Sequence, residues 1–173
     1  MFKLKTWVAA AAMVALAGTA QATLVNLGNG TVKDTATNLI WLQNWNVNGQ
    51  QNWASQIAWA DNLSFAGSDA WVLPSITQYL TLFAEVGNLT LVPQFTNVQS
   101  SVPYWSSTEF VPGTFAYRFH PDIGGQSGFA EVNRLFAVAV RPADATAVPE
   151  PQSLALVLLA LAAGAVAWRR RPL

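Results

Sequence analysis

The chain of 173 residues has no cysteine, a single histidine and charge on only 10% of its positions. Without cysteine there are no disulfide staples, no thiolate nucleophile and no Cys-based zinc site. With one histidine, zinc would need a carboxylate-heavy ligand set, and the spacing offers none. Asp122, Glu109 and Glu131 are the acids that would meet around calcium, yet they lie in no alternating acidic loop. No metal and no cofactor are therefore expected. Long apolar runs are also missing from the interior and occur only near the two ends.

The formal net charge of zero averages unlike parts. Five of the nine basic residues (Lys3, Lys5, Arg169, Arg170, Arg171) sit near the ends. From Thr23 to Pro151, four basic side chains stand against nine acidic ones, which leaves that stretch near −5. An acidic surface is a poor partner for nucleic acid or sulfated glycans, whose binding needs clustered Lys and Arg. About 120 residues build one core, not two.

At the N-terminus, Lys3 and Lys5 precede an apolar run from Trp7 to Gly18 and the small-residue pattern Ala20-Gln21-Ala22. This is the build of a secretory signal peptide over 1–22, cut by signal peptidase after Ala22. At the other end, Val148-Pro149-Glu150-Pro151 precedes the uncharged segment Ser153–Trp168 and then Arg169-Arg170-Arg171. As a helix that segment spans about 24 Å, against a hydrocarbon core of about 30 Å. Trp168 suits the interface, and the arginines hold the cytoplasmic side by the positive-inside rule. Pro149 and Pro151 interrupt helix upstream and leave Glu150 on an extended segment that an enzyme can reach.

This order of rigid motif, apolar segment and basic end resembles the PEP-CTERM sorting signal. The resemblance implies an exosortase-type sorting enzyme as partner, a transient anchor in the cytoplasmic membrane, and delivery to the envelope or exopolysaccharide matrix of a Gram-negative bacterium. Val148, Pro149, Glu150, Pro151, Arg169, Arg170 and Arg171 would be the sorting residues. The expected organisation is a signal peptide over 1–22, an exported domain over 23–142, a linker over 143–152, and a transmembrane helix with its basic end over 153–173.

Within the exported part, Thr31–Asp34 and Leu39–Leu42 read as a hairpin turning at Thr35–Asn38. The Asn/Gln-rich stretch 44–52 reads as a loop. Trp53, Ile57 and Ala60 fall at helical spacing and predict a helix over Trp53–Leu63. Ser75 and Gln78 form a capping box, Ile76, Leu80 and Phe83 give a stripe, and Gly87 closes a second helix. From Tyr104 the pattern turns to strands. Phe115, Tyr117 and Phe119 alternate, Gly124-Gly125 turn the chain, and Leu135–Arg141 alternates again. Helices early and antiparallel strands late predict an α+β domain.

Gly30-Thr31-Val32-Lys33-Asp34, Asn38-Leu39-Ile40-Trp41, Trp71-Val72-Leu73-Pro74-Ser75, Tyr104-Trp105-Ser106-Ser107-Thr108-Glu109 and Ala139-Val140-Arg141-Pro142 follow in that order. The series resembles the Lcl C-terminal domain family from about Gly30 to Pro142. That resemblance implies a C-type-lectin-like fold with two helices and an antiparallel sheet. The chain departs from the family pattern where Ala70 separates Asp69 from Trp71 and Val72 replaces an arginine. The missing cysteine excludes the chemistry of the formylglycine-generating enzymes, whose fold the family shares.

The expected role is an exported, non-enzymatic envelope or exopolysaccharide-associated protein, with a carbohydrate-binding, adhesin-like module as the alternative. Trp41, Trp59, Trp71 and Trp105 lie within elements or motifs and are expected in the core. Trp45 and Trp53 flank the polar loop and are the sugar-contact candidates. Ser106, Ser107 and Thr108 with His120 are the residues a hydrolase would use, if folding brought base and nucleophile together.

Overall fold

The computed structural model of the protein describes residues 23–143. The expected signal peptide, the sorting motif and the apolar tail lie outside the described residues. Among the described residues no helix is long and apolar enough to cross a membrane.

Among the described residues, seven strands and two helices follow one another as β1 (Leu24–Asn26), β2 (Thr31–Asp34), β3 (Leu39–Leu42), α1 (Trp53–Asp61), α2 (Ile76–Val86), β4 (Tyr104–Val111), β5 (Phe115–Phe119), β6 (Gln126–Ala130) and β7 (Val140–Pro142). A short 3₁₀ turn, Leu89–Leu91, follows α2. Strands β1-β2-β3-β7 make one antiparallel sheet and β4-β5-β6 a second. The domain is α+β, as the sequence predicts.

The β2–β3 hairpin turns at Thr35–Asn38 as expected, with Thr31 opposite Leu42 and Asp34 opposite Leu39. Buried Asp34 builds its turn: Oδ1 accepts the Ala36 and Thr37 amides at 2.9 and 3.3 Å, and Thr37 Oγ1 donates to Oδ2 at 2.5 Å. Asn38 ends the turn at φ 55, a left-handed conformation that Asn tolerates.

Helix α1 starts where Asn52 Oδ1 accepts the Ser55 amide at 2.8 Å. It stops at Asp61, short of the expected Leu63: Asn62 caps it, its side-chain Nδ2 donating to the Ala58 carbonyl, and the Leu63 amide turns to Ala60 O three residues back. Its fully buried positions are Gln56 and Ala60, with Trp53 and Ile57 half-buried, so the inward face includes a polar residue. Gln56 is satisfied there. Its Nε2 donates to the Gly49 and Leu135 carbonyls at 2.9 Å each, and its Oε1 accepts from Asn48 Nδ2 at 2.9 Å.

Helix α2 has both halves of the Ser75–Gln78 capping box and ends at Gly87, φ 76. The buried side chains are Ile76, Tyr79 and Leu82, while Leu80 and Phe83 are half-buried, so the core face is rotated from the expected stripe. Tyr79 lies parallel to Phe119 of β5, with centroids 4.7 Å apart. α2 packs on β4 and β5, and α1 on β4.

Leu135–Arg141 differs most from its expected alternation. Only Val140–Pro142 is regular strand, and every residue from Leu135 to Arg141 is buried. The segment serves both sheets at once. Phe136 O accepts the Trp105 amide at 2.9 Å from β4, and Ala139 O accepts the Leu42 amide at 3.0 Å from β3. Leu135 exchanges two bonds with Gln51, and Val140 two with Val72. A segment paired on every side has no solvent face, and its side chains from Leu135 to Val140 are apolar at successive positions.

Candidate functional site

Both ends of the described chain meet at one turn. Thr23 N donates to Thr35 Oγ1 at 3.0 Å, and Thr35 N returns a bond to Thr23 O at 3.3 Å. Ala143 N donates to Asn38 O at 2.9 Å. Ala143, the last described residue, stands five residues before Val148. Ala20, Ala22, Val148, Pro149, Glu150, Pro151, Arg169, Arg170 and Arg171 lie outside the described residues.

Trp45 requires a correction. Its indole is fully buried, in contact with Trp41, Tyr79, Phe95 and Tyr104, and has no face left for a sugar. The polar loop around it folds inward because the Trp45 amide bonds Thr96 O at 3.0 Å, which draws the ring under the sheet. Burial pushes the Tyr79 phenol well above its ordinary pKa, and the neighbouring Tyr104 phenol adds to this. Burial likewise pushes Tyr104 up to about 12, although its oxygen accepts the Gln99 amide at 2.8 Å. Both phenols are neutral packing groups at physiological pH.

Trp53 is half-buried at the first turn of α1, and its indole N–H donates to Ser106 O at 2.7 Å. Trp41, Trp71 and Trp105 are buried as expected, whereas Trp59 is half-buried.

The Ser106 and Thr108 hydroxyls of the Tyr-Trp-Ser-Ser-Thr run are committed to structure. Buried Ser106 Oγ donates to Tyr117 O at 3.0 Å, and Thr108 Oγ1 accepts the Ile76 amide at 3.1 Å. Half-buried His120 sits at the end of β5, its backbone bonded to Gly124 and Gly125, and its imidazole makes no hydrogen bond to Ser106, Ser107 or Thr108. Among the described residues, the side chains of the hydrolase constellation share no hydrogen bond with the imidazole.

A site that sequence reasoning passed over lies around Phe65. A cleft of about 200 Å³ has an apolar lining of Leu42, Val47, Leu63 and Phe65 and a polar lining of Gln43, Asn44 and Gly30. Phe65 is 39% and Val47 52% exposed. Several contacts fix the ring. Phe65 and Ser68 exchange backbone bonds of 2.9 and 3.1 Å across a turn with φ 50 at Ala66 and 76 at Gly67. The left-handed alanine costs about 1 kcal/mol. Trp71 Nε1 donates to Phe65 O at 3.1 Å, and the two rings are 6.3 Å apart. Gly30, at φ 82, lies so close that a Cβ there would stand 2.8 Å from Phe65 Cζ. The Ala66-Gly67 turn after an aromatic residue was the available signal, but no periodic element surrounds it.

Polar capacity remains in the cleft. The Gln43 side chain makes no hydrogen bond among the described residues, its backbone alone being paired. Asn44 Oδ1 accepts from Asn46 N and Asn97 Nδ2, leaving its own Nδ2 to donate. A shallower groove of about 440 Å³ runs between Thr23–Leu24 and Leu91–Gln94, at the pole where the chain ends meet.

Residues 30–142 match the family model of the Lcl C-terminal domain, and residues 147–171 match the PEP-CTERM protein-sorting motif. The comparison with curated proteins finds no match.

Proposed function

From a chain that belongs to the Lcl C-terminal domain family and carries an exosortase-directed sorting motif, we propose an envelope protein displayed in the exopolysaccharide layer of a Gram-negative bacterium. The motif itself indicates an exported protein that is anchored in the membrane before an exosortase processes it. The finer reading is that the domain is non-enzymatic and lectin-like in architecture, and works by contact with polysaccharide once released.

One observation carries the display reading. Strand β7 ends at Pro142, and the Ala143 amide bonds the same turn that holds Thr23, so every described strand precedes Val148 in the chain. A cut near the motif then leaves all of the described strands in the released part. The committed Ser106 and Thr108 hydroxyls support a binding role over the hydrolase that His120 would serve. The Phe65 cleft favours carbohydrate contact, with an aromatic face beside the Gln43 side chain and the donating Nδ2 of Asn44.

Replacing Pro149, Glu150 and Pro151 together with Ala tests the reading. The expected product is longer than the wild type, held in the cytoplasmic membrane, and melts at the same temperature. Normal processing of this variant would contradict the proposal.

A further inference from the structure

The chain ends and the Phe65 cleft lie at opposite ends of one hairpin. Thr23 and Ala143 bind the turn at residues 35–38, whereas Gly30, Leu42, Gln43 and Asn44 flank the open ends of β2 and β3. Four residues of strand, about 13 Å, separate the two. A domain tethered through Ala143 carries the cleft on the side away from its tether.

We infer that the cleft around Phe65 is a binding site for an uncharged sugar ring, with Phe65 as the stacking platform and Gln43 and Asn44 as the hydrogen-bonding groups. The inference rests on the proposed contact with polysaccharide and specifies its site and ligand class.

Three features of the cleft select this ligand. Its lining contains no Asp, Glu, Lys, Arg or His, so an ionised group entering it would lose water without gaining a counter-charge. The apolar face of a pyranose suits an aromatic ring, and its hydroxyls suit carboxamides, which both donate and accept. At about 200 Å³ the cleft is smaller than the roughly 300–1,000 Å³ of sites for drug-sized molecules, so it takes one ring of a longer chain.

The placement of Phe65 is not explained by core packing. Its ring is 39% exposed and is held by a turn that puts an alanine at positive φ. Gly30 gives way to the ring at a position where any side chain would clash. Strain retained to fix an exposed aromatic is the pattern of a pre-organised contact surface.

The full-length protein, in a detergent without a sugar headgroup, is applied to an array of neutral, carboxylated and sulfated oligosaccharides. Binding to at least one neutral oligosaccharide is expected. Phe65→Ala should weaken it about tenfold or more, Phe65→Trp should retain it, and Leu91→Ala, in the other groove, should leave it unchanged. Gln43→Ala, judged folded by its melting temperature, should also weaken binding, and it carries the test if Phe65→Ala does not fold. Neutral-glycan binding that Phe65→Ala and Gln43→Ala leave intact would overturn the site while sparing the polysaccharide reading. Binding confined to acidic glycans would overturn the uncharged class alone. A wild-type protein that binds no glycan would end both.

Discussion

The Trp45 ring lies parallel to the Trp41 ring, with centroids 6.0 Å apart and planes within 10°. Tyr79 tilts against both at 5.8 and 6.0 Å. The polar loop is thereby fastened to the β-sheet and to α2 through one side chain. Trp45→Ala should cost about 3–5 kcal/mol, a large part of a domain's stability. Trp45→Phe should lose less, because it keeps a buried ring and also removes an Nε1 that has no hydrogen-bond partner. Denaturant melts of the two variants check the order. Equal losses would contradict the core packing assigned to this ring.

The capping box of α2 gives a second expectation. Ser75 Oγ accepts the Gln78 amide at 3.2 Å, and Gln78 Oε1 accepts the Ser75 amide at 2.7 Å. Ser75→Ala should cost about 1 kcal/mol. Ser75→Asp should recover most of it, since Asp caps as well and suits the positive end of the helix dipole. Chemical denaturation measures both, and an unchanged midpoint in Ser75→Ala would show that the cap contributes nothing.

Local signals made much of this fold legible. Thr31–Leu42 is a hairpin because two apolar runs flank a turn of Thr, Ala and Asn, and Ser75–Gly87 is bounded by residues whose own chemistry caps a helix. What stayed hidden depends on distant partners. Gln56 is buried because Gly49 and Leu135 accept its amide protons, and the second of these lies 79 residues away. Trp45 stands among Asn, Gln and Gly, and only the approach of Tyr79, Phe95 and Tyr104 turns it from a loop residue into core. Leu135–Val140 alternates large and small side chains, yet both are buried, because the segment pairs with two sheets. The Phe65 cleft joins Gly30, Asn44 and Phe65 from three irregular stretches, where period carries no information.

Glu85 gives a pH-dependent expectation. Its carboxyl is held above the ordinary glutamate range by partial burial first and then by the Asp34 carboxylate beside it. The folded state thus binds the Glu85 proton more tightly than the unfolded chain. Its stabilising contribution is complete below the unfolded pKa of about 4.3 and is lost as pH rises through the higher folded value. At neutral pH the charged pair opposes folding. Glu85→Gln should therefore melt slightly higher than wild type at pH 7, by roughly 0.5 kcal/mol or less for an exposed side chain, and the gain should vanish below about pH 4. A gain that grows toward acid would contradict the assignment. Asp34→Asn is no substitute test, because Asp34 also holds the Ala36 and Thr37 amides.

The central claim is that the fold is delivered by a removable tail, and intact mass spectrometry of the protein recovered from a host with the sorting machinery tests it most directly. The account predicts a chain that begins at Thr23 and ends before Trp168, without Arg169, Arg170 and Arg171. A mass that still includes Trp168 and the three arginines would contradict it, and would make the C-terminal segment a permanent anchor.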